Sequence, residues 1–169
     1  IRDSYTTEEN ILKLIGPLFL DELRAEFVAN IHSRPGLRKL QDRMGGMRFL
    51  DPACGCGNFL IVAYRELRAL ELQILVRLQE LSGKQMQTSL VMDEDERVRV
   101  RMSHFNGIEL EEWPATIART AMFLVNHQAN QDMSLKIGVS PEQLPLTESA
   151  HIVVGNALRM DWNEVLPAG

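Results

Sequence analysis

Residues 49–59, Phe49-Leu50-Asp51-Pro52-Ala53-Cys54-Gly55-Cys56-Gly57-Asn58-Phe59, form the segment of this sequence with the most chemical content. A carboxylate at Asp51 precedes two glycines in a G-x-G spacing. Glycines so placed let a backbone turn tightly and approach a ligand closely. A dinucleotide-binding turn is one reading. Its third glycine would fall at position 60, which is Leu60. Asp51 would also repel a pyrophosphate, whereas it suits a ligand carrying positive charge. Cys54 and Cys56 make one C-x-C pair, short of the four ligands of a structural zinc site, and the histidines are scattered. Small residues in a tight turn need no reactivity, so no metal is expected.

These residues need a scaffold. Met47 to Asp51 reads as a short strand, Pro52 to Asn58 as a glycine turn, and Leu60, Ala63, Leu67, Leu70, Ile74, Leu78 and Leu81 as one long helix. Strand, glycine turn and helix open an α/β unit. Phe105 to Leu110 is a second strand. Trp113-Pro114 opens a helix with Ile117, Ala118, Ala121, Met122 and Val125 on one face. Trp113 reads as a packing residue, and His127 with Asn126 and Asn130 as a solvated helix end. Glu111 and Glu112 read as first-turn helix acids. Residues 129–150 read as loop, and His151 to Val154 as a third strand followed by Gly155-Asn156. Such an order implies a parallel sheet with right-handed crossovers. Three strands are half of a usual doubly wound sheet, and the third would be an exposed edge.

The flanking segments are plainer. A helix over 7–15 has Thr6 or Thr7 as N-cap and Glu8 and Glu9 in its first turn. Gly16-Pro17 should break it and start a second helix running to about His32. Ser33 to Gly36 reads as a loop, and Leu37 to Met44 as a short helix closed by Gly45-Gly46. Residues 82–101 mix Asp93 to Glu96 with Arg97, Arg99 and Arg101, which reads as a solvated excursion rather than a nucleic-acid patch.

Composition sets the outer bounds. The 169 residues suffice for one domain with a real core. Hydrophobic content of 45% and charged content of 24% are globular values and exclude a disordered or fibrous chain. No apolar run approaches the ~20 residues of a membrane span, and no signal peptide opens the chain. Two cysteines make no disulfide framework, which suits a reducing cytosol. A net charge of −5 speaks against this piece itself gripping a phosphate backbone.

The segment Asp51-Pro52-Ala53-Cys54-Gly55-Cys56-Gly57-Asn58-Phe59 resembles motif I of S-adenosylmethionine-dependent DNA methyltransferases of the N6-adenine group. That cofactor carries a sulfonium and an ammonium, in keeping with the charge argument. Tyr5-Thr6-Thr7-Glu8-Glu9-Asn10-Ile11 resembles the motif that leads motif I in the γ order, Gly107-Ile108-Glu109-Leu110 resembles motif II, and Val154-Gly155-Asn156-Ala157-Leu158 resembles motif III. Pro17 to Leu23 and Asp161-Trp162 look most like the MmeI-like branch (type IIG/IIL restriction–modification), which joins methyltransferase, target recognition and often a nuclease in one polypeptide. The resemblance covers nearly the whole chain.

It implies an α/β fold: a partial Rossmann-like class I methyltransferase fold with N-terminal helices, truncated after the third strand. Residues 1–46 would form a helical segment carrying the leading motif, and 47–169 the first half of the Rossmann-like domain. The implied cofactor is S-adenosyl-L-methionine. Asp51 would lie near its methionine moiety, to which Ala53, Cys54 and Gly55 would present backbone, and Pro52, Gly57, Asn58 and Phe59 would also be cofactor-binding. Tyr5 and Thr6 would meet its carboxylate end. Glu109, 58 positions after Asp51, would take the ribose hydroxyls. The spacing exceeds the ~20 residues of the dinucleotide rule, and the long helix with the polar 82–101 stretch accounts for it. Leu110 would pack on the adenine face. Asn156, where many relatives carry Asp, with Ala157 beside it, would accept from the adenine amino group through its carbonyl oxygen.

Adenine methylation in this group uses an Asn/Asp-Pro-Pro-aromatic loop, and no N-P-P or D-P-P occurs here. On the family plan that loop would follow shortly beyond Gly169. The segment alone would therefore be inactive, with double-stranded DNA held by other regions of a cytoplasmic parent enzyme. A methyltransferase acting on RNA, protein or a small molecule, and a non-catalytic binding module, remain the alternatives. A dehydrogenase comes last.

Overall fold

The computed structural model describes residues 7–83, 98–138 and 149–166. Three strands, β1 (Phe49–Asp51), β2 (Phe105–Glu109) and β3 (His151–Val154), form one parallel sheet in the order β1-β2-β3. Asp51 pairs with Gly107, and Glu109 with Val154. Among the described residues both β1 and β3 are therefore edges, so the third strand shares that position with the first. Helix α4 (Asn58–Ser82) connects β1 towards β2, and α5 (Glu112–Ile137) connects β2 towards β3. The two helices pack side by side, and both touch β2. They cover one face of the sheet, where Phe49, Phe105 and Tyr64 meet: the phenylalanine rings stack at 4.7 Å and the tyrosine stands edge-on at 5.1 Å. On the opposite face the short helix α6 (Trp162–Val165) packs on β2, and Ile108 and Val165 are buried there.

The N-terminal helices are α1 (Glu8–Ile15), α2 (Asp21–Ala29) and α3 (Arg34–Gly46). Thr7 caps α1, its hydroxyl accepting from the Asn10 N–H. The break expected at Gly16-Pro17 is instead a π turn over Gly16–Leu20, in which the Asp21 N–H reaches the Gly16 carbonyl. Pro17 sits at its start, where a missing N–H costs little. The chain stays helical there because Ile15, Phe19, Leu20 and Leu23 all bury into one core. Residues 33–36 are likewise not a loop. The Ser33 hydroxyl accepts from the Gly36 N–H, so Ser33 caps α3 and Pro35 lies in its first turn.

Two further expectations are corrected. The 82–101 stretch does not lie wholly in solvent: Val98 and Val100 are buried, and a Cβ on Gly45 would lie 2.6 Å from the Arg99 Cβ, while Arg101 is exposed. Residues 84–97, with Asp93 to Arg97, lie outside the described residues. Helix α5 also runs nine residues further than its apolar pattern indicated, to Ile137, burying Asn130, Met133 and Ile137. Asn126 and Asn130 are core residues and not part of a solvated end.

Their partner is Arg68 on α4. Its guanidinium donates to the Tyr64 hydroxyl at 2.8 Å, to Asn126 Oδ1 at 3.4 Å and to Asn130 Oδ1 at 2.9 Å, and its Nε lies 3.7 Å from Glu71. Glu71 in turn accepts from Gln41 Nε2 and from the backbone N–H groups of Arg99 and Val100. Arg68 and Glu71 are both almost fully buried. Burial pushes the Glu71 carboxyl above its ordinary range, while Arg68 and the backbone donors oppose that shift. Removing one partner of such a pair strands the other, at about 3–5 kcal/mol. For Glu71→Ala we expect thermal unfolding to fall by at least about 6 °C. Lys13→Ala, which breaks an exposed pair with Glu9, should shift it by only about 1–2 °C. Equal midpoints for the two variants would contradict this role.

Candidate cofactor site

The parallel register brings the C-terminal ends of all three strands to one edge of the sheet. In open α/β sheets that edge is where ligands bind. Asp51 closes β1 and Glu109 closes β2. Between β1 and α4 runs the glycine turn. Gly55 has φ +53° and Gly57 φ +83°, both in the left-handed region that favours glycine. A Cβ on Gly57 would lie 3.0 Å from the Ala118 Cβ, so the turn is also pressed against α5. Helix α4 begins directly after Gly57 without a side-chain cap.

The turn is stitched by four backbone donors. The Ala53 N–H donates to Asp51 Oδ1 at 3.0 Å, and the Cys54 N–H to the Ile108 carbonyl at 3.0 Å. The Gly55 N–H donates to Glu109 Oε2 at 2.9 Å, and the Gly57 N–H to the Cys54 carbonyl at 2.8 Å. The amides of Ala53, Cys54 and Gly55 are thus engaged within the protein. A ligand at this stretch meets oxygen acceptors, which suit a cation. The Asp51 carboxyl is held above its ordinary range, first by burial and then by the charge of Glu109, while the Ala53 N–H pulls the other way.

Cys54 is buried and Cys56 exposed, both as free thiols. Burial, reinforced by the charges of Asp51 and Glu109, pushes the Cys54 thiol up to about 11. It is a packing group. Its sulfur fills the space over Gly107, where a Cβ would lie 2.8 Å from Cys54 Sγ and 2.9 Å from Ile152 Cδ1. Among the described residues no group of three or more His, Cys, Asp or Glu is placed to hold a metal ion.

The remaining residues named from the sequence fall as follows. Pro52 is half-buried, Ala53 and Asn58 are exposed, and Phe59 is half-buried against the core. Leu110 lies just past β2 with 65% of its surface exposed. The Gly155 N–H donates to the Glu109 carbonyl at 2.8 Å, which brings the loop after β3 to the same edge. In that loop Asn156 Oδ1 accepts from the Leu158 N–H at 3.0 Å, and the Trp162 indole N–H donates to the Ala157 carbonyl at 2.7 Å. The amide oxygen expected to meet adenine therefore already carries one internal bond. Tyr5 and Thr6 lie outside the described residues. Asp161 caps α6, its carboxylate accepting from the Asn163 N–H. Trp113, expected to pack, is 74% exposed, because the buried face of α5 runs through Ala115, Ala118 and Met122.

Sequence reasoning missed Arg119, whose guanidinium donates to the Ile152 carbonyl at 3.2 and 2.9 Å and bonds Glu112 at 3.0 Å. It thereby ties α5 to β3. A spacing of seven from Glu112 was the available signal. A cavity of about 470 Å³ lies elsewhere, between α2, α4 and α5, and Phe27, Leu72 and Val125 are among its lining residues. None of Asp51, Glu109 or Asn156 lines it, so it is no part of this site.

Comparison with known proteins bears on the family. A family model described as the DNA-methyltransferase domain of MmeI matches residues 27–169. DNA methyltransferase A of Bacillus subtilis (strain 168) is 39% identical over 166 residues, which are 97% of this chain and 18% of that protein. The solved structure of the type IIL restriction–modification enzyme MmeI in complex with DNA superimposes with a TM-score of 0.83 at 44% identity, covering 96% of this chain and 21% of that one. The chain thus spans about a fifth of the length of the relatives it matches. It belongs to the MmeI DNA-methyltransferase domain family.

Proposed function

We propose that this chain is the S-adenosylmethionine-binding part of a DNA adenine-N6 methyltransferase of a restriction–modification system. The observation that carries the reading is the placement of two carboxylates, Asp51 and Glu109, at adjacent strand ends around a glycine turn whose nearest amides are already engaged. Carboxylate oxygens at both strand ends suit a sulfonium and an ammonium and disfavour a pyrophosphate. When bound, the cofactor supplies a methyl group made electrophilic by its sulfonium.

The chain's own residues divide the binding. Asp51, with the turn from Pro52 to Phe59, faces the methionine moiety. Glu109 accepts the vicinal ribose hydroxyls, since a carboxylate offers several lone pairs. The exposed side chain of Leu110 provides apolar surface for the adenine. Asn156 and Ala157 bound the adenine end, Asn156 with the capacity left on its amide beyond the Leu158 bond. Tyr5 and Thr6 take the carboxylate end. In this reading the sheet is the first half of a Rossmann-like fold over residues 47–169, and residues 1–46 carry the leading motif on helices. The base-holding Asn/Asp-Pro-Pro-aromatic loop and the DNA-gripping surface belong to other parts of the parent enzyme. There the target adenine leaves the duplex to reach its methyl donor.

Asp51→Asn tests the charge argument cleanly, because its Oδ1 can still accept from Ala53. By calorimetric titration we expect it, and Glu109→Ala, each to weaken S-adenosylmethionine binding by about ten-fold or more. Unchanged affinity in both would favour a module with no live pocket. We also expect residues 1–169 alone to transfer no methyl group to duplex DNA, and measurable transfer would overturn the division of labour.

A thiol probe locates the site independently. With iodoacetamide at neutral pH, peptide mass mapping should show Cys56 modified well before Cys54. Saturating S-adenosylmethionine should slow the modification of Cys56. Equal rates with and without it would place the cofactor away from the turn.

A further inference from the structure

Glu109 is bonded more widely than a ribose ligand requires. Three loops leave the C-terminal edge of the sheet, and each gives Glu109 one backbone N–H. Gly55, in the turn after β1, donates to Oε2 at 2.9 Å. Glu111, in the loop after β2, donates to Oε1 at 3.1 Å. Gly155, after β3, donates to the Glu109 carbonyl oxygen at 2.8 Å. The Gly55 bond spans 54 positions of sequence. It is the side-chain bond that fastens the glycine turn to β2.

That turn needs fastening at this point. Gly55 is left-handed, and a Cβ there would meet nothing within 4 Å, so no neighbouring side chain props the residue in place. A charge-assisted bond from a carboxylate to a backbone N–H is the stronger kind of hydrogen bond.

We propose that Glu109 is a positioning residue for the glycine turn, coupling the ribose end of the pocket to its methionine end through one carboxylate. The positioning role stands on the free chain alone, and the coupling rests on the cofactor reading given above. Each carboxylate oxygen has two acceptor directions, and the amides of Gly55 and Glu111 use one on each. A vicinal diol can therefore be accepted without releasing the turn. Engaging the ribose holds the carboxylate still, and a still carboxylate holds Gly55 in the conformation the methionine moiety meets. The side chain's length matters as much as its charge. Gln has the same reach but only one acceptor oxygen, so it can serve Gly55 or Glu111 and not both.

Amide hydrogen exchange of the full 169-residue chain tests this, read at Gly55 and, as a fold control, at Met122 and Asn126 in α5. Without cofactor, Glu109→Ala should speed exchange at Gly55 by about ten-fold or more, with Glu109→Gln between it and the parent chain. The α5 amides should stay protected in both variants. If Glu109→Ala loses protection in α5 as well, Glu109→Asp, whose carboxylate is one methylene short of Gly55, decides alone, and a parent-like Gly55 rate in it would overturn the positioning role. Adenosine, which has the ribose diol and lacks the methionine moiety, should slow Gly55 exchange in the parent chain and leave Glu109→Ala unmoved. Faster exchange in the variants with no response to adenosine would keep the positioning role and overturn the coupling. Calorimetric binding of S-adenosylmethionine beside that result would show that the coupling had failed and the cofactor reading had not.

Discussion

The arrangement depends on a buried charge. Arg68 sits in the middle of α4 and is almost fully buried, so its guanidinium depends on partners within the protein. It finds them in Tyr64, Asn126, Asn130 and Glu71. The first is on its own helix, the asparagines are on α5, and Glu71 reaches onward to Gln41 on α3 and to the backbone at 99 and 100. That backbone leads into a 3₁₀ turn at Met102–His104 and then directly into β2. One buried guanidinium and its carboxylate partner therefore tie α3, α4 and α5 to one another and to the segment that enters the middle strand. Greasy packing alone tolerates sliding, whereas a polar network with directional bonds does not.

From that placement the site follows by register. Because β1 and β2 pair with Asp51 beside Gly107, Glu109 projects beyond the end of β1, towards the turn that β1 feeds. Because β3 pairs with Val154 beside Glu109, the loop that starts at Gly155 arrives at the same edge. Gly107 completes the arrangement by what it lacks. Its missing side chain leaves room for the Cys54 sulfur, and the turn is drawn down onto the sheet. A methyl group there would collide with Cys54 and Ile152, and packed interiors yield little. The carboxylates are close enough that the charge of Glu109 raises the affinity of Asp51 for its proton. A cationic ligand, as proposed for this site, would relieve such repulsion.

Much of this was legible in the residues. The three strands and the long helix after the glycine turn followed from local pattern, and the grouping of Asp51 with Glu109 from the resemblance of their segments to methyltransferase motifs. Strand-turn-helix order is a local property, and a glycine in a turn announces itself through the backbone conformations open to it. The misreadings share a physical cause. Gly16-Pro17 and Ser33 to Gly36 look like breaks when only propensity is weighed, yet burial of Ile15, Phe19, Leu20 and Leu37 keeps the chain helical through or beside them. Asn126 and Asn130 look like solvated polar residues until a buried arginine faces them from another helix. They stand at four-residue spacing on the same face as Ala118 and Met122, which was the periodic signal that they point inward.

By itself, then, the sequence determined the order of elements, the family and the chemical character of the site, because those reside in residue types and short-range spacing. Only the tertiary structure decided which polar residues are buried, how far the helices run, and that Glu109 binds the turn. Each of these depends on a partner far away along the chain, brought close by packing and register. A hydrogen bond between residues 54 positions apart leaves no trace in local pattern.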